Sequence, residues 1–194
     1  MKQLIIFALL VVFAVTLCGF IPTSEDMEIY DDIVRLHVLA NSDAEEDQSI
    51  KLLVRDAVLE KISGITAGAS DADSAAALIS ENICVIRDLA SETLQDLGVD
   101  MPVSVTLSEE YYPTRNYEDT SLPAGKYTSL RIMIGEADGQ NWWCVLYPAI
   151  CTSSAKANAV FKQTGFSTEQ INILTDNEKP VYKIKFKLLE LISG

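Results

Sequence analysis

The chain has 194 residues, a formal net charge of −13 at pH 7 and one histidine. That much negative charge disfavours nucleic acid and anionic lipid headgroups as partners, because both are polyanions. A lone His37 also disfavours zinc, whose structural sites want a full tetrahedral set of Cys and His ligands.

Lys2 precedes an uncharged stretch, Leu4–Ile21, reading LIIFALLVVFAVTLCGFI. Such a stretch enters lipid readily and its basic flank stays in the cytoplasm. Glu25, Asp26, Glu28, Asp31 and Asp32 follow, so the charge asymmetry puts the N-terminus inside and the rest outside. Residues 1–21 therefore read as a signal peptide or a signal anchor. The stretch runs longer than a typical signal-peptide core and lacks an Ala-x-Ala site, yet only just reaches the roughly 18–20 residues of an anchor. A lipidated Cys18 is disfavoured by the bulky Leu17 before it. A buried core helix is disfavoured by the missing polar face. The expected location is secreted or membrane-anchored on the extracytoplasmic side. Of the 15 basic residues only Lys2 lies in the leader, so 14 face 28 acidic ones beyond it, which keeps the exported part soluble.

After an acidic linker, 22–32, residues 33–194 read as one exported domain. Ile33–Ala40 (IVRLHVLA) alternates as a strand, with Arg35, His37 and Leu39 on one face and Val34, Leu36, Val38 and Ala40 on the other. Ser42 and Glu45 fit a capping box that opens a helix over Asp43–Ile62, with Ile50, Leu53, Val54, Ala57 and Val58 as its apolar stripe. Asp71 or Asp73 caps a second helix reaching Leu97, and Gly98 suits its C-terminal stop. Pro102–Leu107 alternates as a strand. Glu109–Pro123, rich in Tyr, Pro, Asn and Asp, reads as a long exposed loop. Tyr127–Gly135 and Asn141–Tyr147 read as partner strands joined at Asp138-Gly139. Ser154–Phe161 starts a helix, Thr164–Asn177 is too mixed to assign, and Val181–Ile192 reads as strand or helix. This order predicts an α+β domain with helices on one face of a largely antiparallel sheet.

Cys84 lies in a helical pattern and reads as a small buried core residue. Cys144 and Cys151 flank VLYPAI, where Tyr147-Pro148 reads as a turn. If that turn closes a hairpin, the two thiols face each other and a disulfide worth about 2–3 kcal/mol can form. Two unpaired thiols packed in a core fit the sequence as well.

Chemistry concentrates in RLHVLANSDAEEDQSIKLLVRDAV, where a strand runs into a helix. Asp47, Lys51 and Arg55 are spaced for ion pairs along one helical face. His37 and Asp43 would make an acid/base pair, but no G-x-S-x-G nucleophile or Gly-rich phosphate loop accompanies them. A polar lock between strand and helix is the simpler reading. The second block is NWWCVLYP, whose Trp142 and Trp143 point to opposite faces; at least one packs in the core, and the other is covered by a helix or anchors a partner.

The export segment, RLHVLANSD-x₃-DQ-x₂-K-x₂-VRDAVL, NWWCVLYPAIC and the final KFKLLEL together resemble the stage II sporulation protein R family. The resemblance implies a signal rather than an enzyme, with no cofactor. Such proteins are made in the forespore and secreted into the space between forespore and mother cell. There they trigger a membrane-embedded aspartic protease, stage II sporulation protein GA, which processes the precursor of sigma-E. The resemblance transfers no contact residues. The polar junction and the aromatic block make Arg35, His37, Asp43, Trp142 and Trp143 the expected contacts. An exported cell-wall hydrolase using His37, and a wall- or carbohydrate-binding module using the two tryptophans, are the alternatives.

Overall fold

The computed structural model describes residues 29–117, 120–150 and 157–175, with positions 3, 6, 7, 10 and 11 of the leader. The leader as a whole, Cys151 and the segment 181–192 lie outside the described residues. None of the described helices is long and apolar enough to cross a membrane. The elements are β1 (Val34–Leu39), α1 (Glu45–Ile65), α2 (Ala72–Glu81), α3 (Ile83–Asp96), β2 (Val103–Tyr112), β3 (Arg115–Tyr117), β4 (Thr120–Leu122), β5 (Gly125–Ile134), β6 (Asn141–Tyr147), α4 (Ala157–Gln163) and α5 (Thr168–Thr175).

β1 is buried at all six positions, so it needs a neighbour on each side and a cover on each face. It finds them in a four-stranded sheet of order β2-β5-β1-β6. β1 runs parallel to β5, with Leu36 opposite Leu130, and antiparallel to β6, with His37 opposite Trp143. β2 is antiparallel to β5. The architecture is therefore α+β with a mixed, mostly antiparallel sheet, as the element order predicts, but helices cover both of its faces rather than one.

The expected β5–β6 hairpin does not form, because β1 lies between the two strands. The Asp138-Gly139 turn instead crosses the end of β1. Gly139 N–H donates to the Ala40 carbonyl at 3.0 Å and Asp138 N–H to that of Asn41 at 3.2 Å.

α1 matches the expected first helix, but Ser42 does not cap it. Its N-cap is Ala44, without a side-chain bond. The second helix splits at Asn82, whose Nδ2 donates to the Leu78 carbonyl at 2.8 Å and so competes with the helical ladder. Asp71 caps α2 in a capping box with Ser74. The expected loop 109–123 is largely strand: β2 continues to Tyr112, pairing with Gly125, and β3 and β4 form a separate ribbon. Part of the unassigned stretch 164–177 is α5.

Two apolar clusters sandwich the sheet. One joins Leu36, Val38, Leu130 and Ile132 to Val54, Val58, Ile79, Ile86 and Leu94 of α1–α3. The other sets Ile33, Tyr112, Tyr127 and Val145 against Leu122, Phe161, Phe166 and Leu174 of β4, α4 and α5. Each fully buried large aliphatic contributes about 1.5–3 kcal/mol. Cys84 is free and exposed rather than buried. The inward stripe of α3 is Ile86, Ala90 and Leu94, and a residue two positions before Ile86 points away from it.

Candidate functional site

The second face of β1 carries Arg35 and His37 at alternate positions, as the strand pattern predicts, and both are buried. Arg35 is wholly inaccessible. Its guanidinium carbon lies 3.9 Å from the Tyr112 ring centroid and 4.9 Å from that of Tyr127. Nη2 donates to the Tyr117 hydroxyl at 2.9 Å, while Nε and Nη1 have no hydrogen-bond partner among the described residues. Among the described residues Arg35 makes no ion pair, so aromatic faces supply most of its compensation.

His37 is held at both ring nitrogens. Nδ1 is 2.8 Å from Glu110 Oε1 and Nε2 is 2.7 Å from Asn141 Oδ1. Nδ1 must carry a proton to face a carboxylate. The Asn141 amide can serve Nε2 in either state by turning over. The chain of bonds continues: Tyr112 hydroxyl to Ser129 Oγ at 2.6 Å, and Ser129 Oγ to Glu110 Oε2 at 3.0 Å. Trp143 closes the cluster, its ring centroid 5.6 Å from that of His37 and covered by the Arg115 guanidinium at 3.5 Å. Burial raises the Tyr112 hydroxyl well above its usual range, and does the same to Tyr127.

At the end of β1, residues 41–51 form a second polar network. Asp47 accepts from Asn41 Nδ2 at 2.9 Å and from the Ser42 hydroxyl, and these bonds, Ser42 first, hold its carboxyl below the ordinary value of 3.8. Gln48 Nε2 donates to the Ser42 carbonyl, and Lys51 Nζ donates to Gln48 and to the Gln140 carbonyl at 2.8 Å. Asp43 Oδ1 accepts from Gln140 N–H at 2.8 Å. Arg55 pairs with Asp56. The expected Asp47–Lys51–Arg55 ion pairs are thus replaced by bonds to the strand end and the 135–140 turn. Gly139 packs so closely on the Ser42 carbonyl that a Cβ would overlap it.

The five expected contact residues do not form one surface. Arg35, His37 and Trp143 belong to the buried and half-buried cluster. Asp43 is exposed at the junction. Trp142 is 37% exposed on the helix side, with the Arg55 guanidinium 4.3 Å from its ring. His37 and Asp43 do not pair, since each is bonded elsewhere. Ser129 donates to Glu110 and shares a bond with Tyr112, but it is fully buried, out of reach of a substrate. Among the described residues, no group of His, Cys, Asp and Glu is arranged to hold a metal ion. Cys144 is disulfide-bonded, and Cys151, its expected partner, lies outside the described residues. Sequence reasoning missed Glu110, Tyr112, Tyr117, Tyr127 and Ser129. The signal for them is a charge on a strand buried on both faces, which demands aromatic and acceptor neighbours.

Comparison with known proteins matches residues 30–157, which hold both motif blocks, to the family model for stage II sporulation protein R. The chain is 35% identical over 128 residues to stage II sporulation protein R of Bacillus subtilis (strain 168), covering 66% of this chain and 57% of that protein. The chain thus matches little more than half the length of that relative. No solved structure matches it. The closing KFKLLEL of the sequence motif falls outside the matched span. The two networks described above are built from residues of that span, and the chain belongs to the stage II sporulation protein R family.

Proposed function

We propose that this chain is an exported signal of sporulation that acts by binding, not by catalysis. Its receptor is a membrane-embedded aspartic protease of the stage II sporulation protein GA type, whose activation leads to processing of the sigma-E precursor. The protein acts on the extracytoplasmic side, in the space between forespore and mother cell. The observation that carries the reading is the family match over both motif blocks. The geometry is in keeping with it, because His37 and Ser129, tied with Glu110 into one network, are buried away from any substrate. A hydrolase would need such a group open to its substrate. A sugar-stacking module would need open ring faces, whereas Trp142 and Trp143 point to opposite sides of β6 and each carries an arginine.

The receptor contact is assigned to the end of the sheet where β1 leaves and β6 begins. There Asp43 and Trp142 are exposed, and His37 holds Asn141, the neighbour of Trp142. A ligand activates a receptor only by binding the active state more tightly than the inactive one, so the contact must be specific. The full chain, co-expressed with the protease, should co-purify with it from membranes. Asp43→Ala and Trp142→Ala should each weaken recovery about tenfold or more, the loss expected of a contact anchor, and Cys84→Ser should not. Absence of co-purification, with peptidoglycan hydrolysis that is lost in His37→Ala, would replace the signal by an enzyme.

A further inference from the structure

β2 lies at the end of the sheet order, so among the described residues one of its edges has no strand beside it. No backbone hydrogen bond among the described residues reaches that outer edge. Natural edge strands are usually blunted by lysine, proline, inward charge or a bulge. Val103–Ser108 (VSVTLS) has none of these, and its pairing with β5 runs without a register break. The carboxylates of the strand, Glu109 and Glu110, lie beyond this stretch.

The side chains along it are also incomplete. Val103, Val105 and Leu107 pack on the helix-side core but stay partly exposed, as do Val99 and Met101 at the strand's start. On the opposite face Ser104, Thr106 and Ser108 are exposed. The apolar layer therefore stops at an open margin, with small hydroxyl residues behind it.

We infer that this edge pairs with the same edge of a second copy, antiparallel about a two-fold axis through Thr106, joining two sheets into one. The register is self-complementary. Thr106 faces its own copy, Ser104 faces Ser108, and Val105 faces Leu107, so apolar meets apolar on the helix side and hydroxyl meets hydroxyl on the other. Glu109 falls opposite Val103, so no carboxylate of the strand faces another. A two-fold contact uses the same patch on both copies, as this one does. It also leaves Asp43 and Trp142 clear of the pairing strand in each copy. Resting on the proposed signalling role, the dimer would present two receptor contacts at once. The pairing itself stands without that role.

Directly opposed residues of an antiparallel pair lie within disulfide reach. In the full chain carrying Thr106→Cys, mild oxidation should give a cross-linked species of twice the monomer mass. The wild type, whose exposed Cys84 monitors random collision, should not. In detergent solution the wild type should sediment as a dimer. Thr106→Glu opposes two carboxylates at the axis and, being at an exposed position, should leave the circular dichroism of the fold unchanged; it should sediment as a monomer. A monomeric wild type, a dimer indifferent to Thr106→Glu, or a Thr106→Cys variant that cross-links to another protein instead of to itself would each overturn the inference. The last would assign the edge to a partner's strand.

Discussion

Arg35 shows how a single buried charge is kept. Among the described residues it sits between two tyrosine rings with one hydrogen bond and two unpartnered nitrogens. A buried charge without a carboxylate is often no better for stability than an apolar side chain of similar volume. Arg35→Met should therefore change unfolding free energy by less than about 1 kcal/mol, whereas Arg35→Ala, which opens a cavity between the rings, should cost about 2–4 kcal/mol. Urea denaturation of the two variants checks this. The tyrosines give a second prediction. Their folded hydroxyls titrate above the unfolded value of 10.0, because burial disfavours the phenolate. The stability tied to them is complete below about pH 10 and lost as pH rises beyond it, where the unfolded chain ionises first. The denaturant midpoint should fall above that pH, and fall less steeply in Tyr112→Phe and Tyr127→Phe. The strand pattern made the shared face of Arg35 and His37 legible. Glu110, Tyr112 and Tyr117 among their partners were not, because they come from 109–123, a stretch whose Tyr, Pro and Asn content reads as exposed loop until β5 is there to pair with it.

Among the elements, the junction between β1 and α1 was legible as polar and helix-initiating, but its wiring was not. The S-x-x-E spacing suits a capping box, yet Ser42 bonds Asp47 instead, because Asp47 also draws in Asn41 and so ties the strand end to the helix. Asp47 has a lowered folded pKa, so its contribution is present above the ordinary carboxylate value and disappears as pH falls through the folded one. Asp47→Asn should lower stability at neutral pH and flatten its fall below about pH 4, read from thermal midpoints across an acid series. Gly139→Ala should destabilise the fold by about 1–3 kcal/mol, since the new Cβ overlaps the Ser42 carbonyl. The order β2-β5-β1-β6 was hidden for a related reason. A short turn between two strands suggests a hairpin, and only the double-sided burial of β1 shows that it must be inserted between them.

For the whole molecule, the sequence carried the α+β class and, through the two motif blocks within 30–157, the family, since both rest on long patterns rather than single contacts. Cys84 was misplaced because a small apolar residue in an amphipathic helix gives no phase of its own. The central claim is that this chain is a signal that switches on a membrane protease. The most direct test co-expresses the full chain with that protease and the sigma-E precursor in a non-sporulating host, and follows precursor cleavage by immunoblot. Cleavage that requires this chain and its residues 1–21 is the predicted result. An intact precursor, with all three proteins present and this one exported, would contradict it.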